Sequence, residues 1–113
     1  MTTSQPPIIA PVKVERRFHQ RRKIRETLEI DWGSSVLQGT VSDIGPKGLF
    51  VELTPQLWVG ARFAARLMVT PPLELVCVVR RVEPGKGIGV TFDLPEETGE
   101  ARLATLLGTL PLL

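Results

Sequence analysis

Glycine and proline break this chain at short, even intervals, which leaves little room for long elements. The breaks fall at Gly33-Ser34, at Gly45-Pro46-Lys47-Gly48, at Thr54-Pro55 with Gly60, at Thr70-Pro71-Pro72 and at Glu83-Pro84-Gly85-Lys86-Gly87. Such residues punctuate turns because glycine reaches backbone conformations closed to other residues and proline fixes φ. The pieces between them mostly alternate apolar and polar side chains, the period of a strand. Six strands are expected, over residues 24–32, 35–44, 48–53, 61–69, 73–82 and 88–92. The fifth, apolar on both parities through Leu75, Val76, Cys77, Val78 and Val79, should be central. Leu57 and Trp58 are expected to tuck against the core, and Phe50, Phe63 and Phe92 to belong to it. The period changes at the end, where Leu103, Leu106, Leu107 and Leu110 recur at helical spacing, predicting a helix over 95–110. Strands this short and regular point to an all-β fold. The expected form is a small six-stranded antiparallel barrel, with one C-terminal helix over an open end or face.

At 113 residues, with 42% hydrophobic and 23% charged side chains, the chain has the means for one stable core. Residues 1–14, punctuated by Pro6, Pro7 and Pro11, are expected to form an extended leader, and 15–113 a single domain. The single cysteine, Cys77, excludes an internal disulfide and suits a reducing compartment; set mid-strand, it reads as a buried core thiol. No apolar run is long enough to span a membrane, and the N-terminus lacks a signal-peptide layout. A cytoplasmic location with no membrane insertion is expected.

Charge is distributed unevenly. The net charge is only +2, yet Arg16, Arg17, Arg21, Arg22, Lys23 and Arg25 crowd one short stretch whose sole acid is Glu15. That asymmetry favours a local anion site over a general nucleic-acid coat. Arg22, Lys23 and Arg25 read as solvated charge at the entry to the first strand. Catalysis is not expected. His19 is the lone histidine, no zinc spacing is present, and no phosphate-binding glycine loop ends in lysine-serine or lysine-threonine. Neither metal nor cofactor is expected. Nucleic acid is an unlikely partner, because single-strand binders stack bases on aromatics and only 5% of this chain is aromatic.

Two motifs remain: Arg17-x-x-x-Arg21, and the turn Asp43-Ile44-Gly45-Pro46-Lys47-Gly48. In this order, on this strand plan, they resemble the PilZ domain family, whose members bind cyclic di-GMP. That family carries an arginine-x-x-x-arginine linker, followed after two strands by Asp/Asn-x-Ser-x-x-Gly. Further likeness lies in Gly48-Leu49-Phe50-Val51-Glu52, Val59-Gly60, Val78-Val79-Arg80 and Gly87-Ile88-Gly89-Val90-Thr91-Phe92, and in the Leu-Pro-Glu-Glu helix start. The resemblance covers about Glu15 to Leu110. It implies a PilZ-type barrel over 24–92, an arginine-rich ligand-binding linker over 15–23, and a place in bacterial second-messenger signalling.

The residue types suit that ligand. A guanidinium forks two donors onto guanine O6 and N7 or onto a phosphate, and also stacks on a base. The resemblance implies that Arg17 and Arg21 act this way with Arg16 helping, and that Asp43 accepts from the guanine Watson–Crick edge. Gly48 would let backbone approach the ligand. Gly45 departs from the family's usual serine; it removes one hydrogen bond, worth about 0.5–1.5 kcal/mol, and loosens the turn. The expected function is a cyclic di-GMP receptor of somewhat weakened affinity, signalling to a downstream protein as its linker orders on the ligand. The alternative is a nucleotide-independent adaptor, acting through protein contacts in motility or pilus assembly.

Overall fold

The computed structural model describes residues 21–54, 57–93 and 97–113. Six strands follow one another: β1 Arg22–Trp32, β2 Ser35–Ile44, β3 Gly48–Glu52, β4 Arg62–Leu67, β5 Leu73–Glu83 and β6 Gly87–Phe92. One helix, α1, spans Glu97–Gly108. Every strand pairs antiparallel with two neighbours in the order β1-β2-β3-β6-β5-β4, and β1 closes the barrel on β4 through Leu28↔Leu67 and Ile30↔Ala65. The all-β, six-stranded barrel with a C-terminal helix is therefore the fold.

Alternation fills the interior. Leu73, Leu75, Cys77 and Val79 of β5 point inward, as do Phe63, Ala65 and Leu67 of β4. Leu103 and Leu107, four residues apart on one face of α1, join the same core. Arg102 ties the helix to the β4–β5 turn by donating to the carbonyls of Pro71 and Pro72, at 3.0 and 3.1 Å. Cys77 is buried as expected, and burial pushes its thiol up to about 12.

Two aromatic expectations fail. Leu57 is buried, but Trp58 is 63% exposed and sets its ring edge-on to Trp32, with centroids 5.1 Å apart. Adjacent residues of an open chain point to opposite sides, and Leu57 takes the inward place. Phe50 is also outside the core: Leu49 and Val51 take the inward parity of β3 and turn Phe50 to the outer face, where it is half-buried. Phe63 is buried, and Phe92 packs partly buried against the core.

Three β-bulges bend the barrel at one level, between Lys23 and Glu26 of β1, Val41 and Asp43 of β2, and Val79 and Arg81 of β5. A bulge inserts one residue and shifts the facing of all that follow. On β2 the inward positions change from Val41 to Ile44, so Asp43 faces out. On β5 they change from Val79 to Val82, so Arg81 faces out.

Candidate functional site

The turn between β2 and β3 is tied on two sides. The Gly45 N–H donates to the Gly48 carbonyl at 2.8 Å, and the Phe92 N–H of β6 donates to the Lys47 carbonyl at 2.8 Å. Neither of these backbone bonds needs a serine hydroxyl at position 45. A Cβ at Gly48 would meet the Val90 carbonyl oxygen at 2.0 Å, so the glycine lets β3 approach β6 closely.

Arg21 comes in from the entry to β1 and spans this turn. Its Nη2 forms an ion pair with Asp43 Oδ1, and its Nη1 donates to the Gly48 carbonyl at 3.4 Å. The side chains are 36% and 23% exposed, so the pair lies at the surface with one flank covered. The structure therefore brings together Arg21, Asp43, Gly45 and Gly48. Arg16 and Arg17 lie outside the described residues, as does His19.

Arg22 corrects another expectation. It is half-buried rather than solvated, and its Nη1 donates to the Leu110 carbonyl at 3.1 Å, just beyond the end of α1. A cation here satisfies a carbonyl at a helix end and meets the negative pole of the dipole. The backbone follows: Lys23 N–H donates to Pro111 at 2.9 Å, and Leu113 N–H donates to Arg21 at 3.3 Å. The last residues thus lie along the entry to β1.

The outer face beside Asp43 holds residues that the motifs did not single out as ligand contacts. In register across the sheet, Asp43 stands opposite Phe50, Phe50 opposite Gly89, and Gly89 opposite Arg81. Arg81 reaches back along this row until its Cζ lies 5.6 Å from the centre of the Phe50 ring. The sequence does not announce this facing, because the strand is apolar on both parities from Leu75 to Val79 and shows no phase for a bulge to shift.

Among the described residues no group of three or more histidines, cysteines or acids could hold a metal, and no helix is long and apolar enough to cross a membrane. The described residues thus form a closed barrel with a partly exposed arginine–aspartate pair beside its β2–β3 turn. Residues 15–108 match the PilZ domain, and the chain belongs to that family, whose members are binding and adaptor domains associated with cyclic di-GMP. No curated protein matches the chain.

Proposed function

We propose that this chain is a cyclic di-GMP receptor in which residues 15–23 act as a clamp and the outer face of β2 and β3 as the seat. The observation that carries the reading is the placement of Arg21 on Asp43 and the Gly48 carbonyl. It sets a forked cation beside an anionic acceptor at the one turn the family motif marks. Asp43 would accept from the N1–H and amino donors of a guanine, and Arg21 would turn to O6 and N7 or to a phosphate. Opening the existing pair costs little, since surface ion pairs are worth about 0–1 kcal/mol. The ligand replaces each partner with a new one, so neither charge is stranded. Arg17, with Arg16, would meet the phosphates from the linker, whose crowded cations gain most from a dianion. The ordered linker then presents a new surface to a downstream protein.

Gly45 favours a second reading, because no hydroxyl stands where the family usually places one. In that case the barrel is an adaptor that works without nucleotide. Calorimetric titration with cyclic di-GMP separates the two. The parent chain should release heat, and Arg17→Ala, Arg21→Ala and Asp43→Ala should each weaken binding at least tenfold. Gly45→Ser should tighten it by up to roughly tenfold. No heat from the parent near a millimolar of ligand would leave the adaptor reading standing.

A further inference from the structure

The end of the barrel away from the β2–β3 turn carries an exposed apolar patch that the proposed receptor function does not use. The β1–β2 hairpin and the chain between β3 and β4 build it. Trp58 is 63% exposed, Val59 62%, and Val36, on the other arm of the hairpin that carries Trp32, 57%. The two indoles meet edge-on at 70°, and the buried Phe63 ring backs Trp32 at 6.3 Å. This exposure is not that of slack chain. The Ala61 N–H donates to the Trp58 carbonyl at 3.0 Å, and the Gly60 N–H donates to the Val79 carbonyl of β5 at 2.8 Å. The rings therefore form a fixed apolar corner. The nearby charges are already balanced: Glu29 and Asp31 of β1 both pair with Arg66, and Arg62 pairs with Asp93. Such a corner suits an uncharged occupant.

We propose that the corner made by Trp32 and Trp58 is a seat for a proline-rich segment, and that its occupant is residues 5–12 of the same chain, with Pro6 and Pro7 on the rings. That stretch reads Gln-Pro-Pro-Ile-Ile-Ala-Pro-Val and holds no charge. Prolines favour the extended polyproline conformation in advance, so little freedom is lost on docking to aromatic side chains. They also offer carbonyl acceptors without N–H donors, which suits indoles that can only donate. Ile8 and Ile9 follow, matching Val36 and Val59 in character. The reach agrees. Arg21 precedes β1, an 11-residue strand whose far end is Trp32, so the corner lies roughly 35 Å away at about 3.3 Å per residue. Pro7 stands fourteen residues before Arg21, enough extended chain for about 46–50 Å. Pro11, ten residues before, arrives only at full stretch. The first two prolines are therefore the ones that reach the rings with slack.

Both tryptophans of the chain stand in this corner, so tryptophan emission reports on the site alone. The test uses the full chain without nucleotide and so stands apart from the receptor function. In a double variant, Pro6→Ser with Pro7→Ser, emission should move to longer wavelength and acrylamide should quench it more strongly, with an unchanged melting temperature. High salt should leave the parent's emission as it is, because the contact carries no charge. A nitroxide attached at Ile9→Cys should broaden the indole N–H resonances of Trp32 and Trp58; the buried Cys77 does not compete for the label. Adding Trp58→Ala to the labelled chain should sharpen the Trp32 resonance again. Parent-like emission in the double variant, a salt-induced shift in the parent, or sharp indole resonances beside the label overturns the proposal. Broadening that arises only between labelled and isotopically enriched copies also overturns it, since it gives the corner to a second copy of the chain.

Discussion

A methyl group at Gly48 would sit 2.0 Å from a backbone oxygen of β6, and backbone in a closed barrel has little room to withdraw. Gly48→Ala should therefore destabilise the fold by about 1–3 kcal/mol, the usual cost of overpacking. The melting temperature should fall by at least about 5 °C. A variant that melts like the parent but no longer binds would show that the glycine serves the ligand and not the sheet. Cys77 gives a second prediction at this scale, and its sign follows from burial. The unfolded thiol ionises near its ordinary 9.0, whereas the folded one keeps its proton to about 12. Below about pH 9 the thiol adds no pH dependence. Between about 9 and 12 the unfolded state sheds a proton that the folded state retains, so stability falls by up to about 1.4 kcal/mol per pH unit. Denaturant melts across that range should show the parent losing stability faster than Cys77→Ala; parallel curves would contradict the burial.

At the scale of elements, the strands were legible because the chain marks both their ends. Gly33-Ser34 and Gly45 to Gly48 bracket β2, and Pro72 and Pro84 stand just outside β5. Predicted and observed bounds differ most at β4, which covers Arg62–Leu67 because Ala61 and Val69 leave the ladder for turn hydrogen bonds. Half of the candidate site was also legible: Arg21 and Asp43 were chosen by motif, and the structure pairs them. What the sequence hid is where side chains point once a strand carries a bulge. Phe50 reads as one more apolar residue of a buried strand until the parity of Leu49 and Val51 is known. Arg81 reads as one of two adjacent surface arginines, yet the bulge separates their roles: Arg80 Nε donates to Thr91 at 2.9 Å, while Arg81 crosses to the Phe50 ring. Arg22 was misread for another reason. Its partner is a carbonyl 88 residues further on, at the helix end, and no local pattern announces a contact of that range.

Considered as a whole, the described residues form a closed barrel in which every strand has two neighbours, so a partner in the proposed signalling would find little sheet edge to extend. The place where further chain does pair is the start of β1. That strand meets β4 only from Leu28 to Ile30, and its first residues bond instead to the C-terminal segment, through Lys23 to Pro111, Leu113 to Arg21 and the Arg22↔Leu112 bridge. Arg21 therefore belongs to two assemblies: its side chain holds Asp43 and its carbonyl holds Leu113. Fixing the linker on a ligand fixes the backbone that the tail is bonded to, and the tail continues directly from α1. Hydrogen exchange should report this coupling. With saturating cyclic di-GMP, amides at the 43–48 turn should exchange more slowly, and so should Lys23 and Leu113, whose bonds join linker and tail. Amides of the β4–β5 hairpin, held by a ladder that Arg21 does not touch, should be unchanged. Removing residues 111–113 should then weaken ligand binding several-fold while leaving the barrel's melting temperature nearly intact. Slowing confined to the turn, with Leu113 unaffected, would mean that the ligand's effect ends at the linker and that the tail is only a seam in the fold.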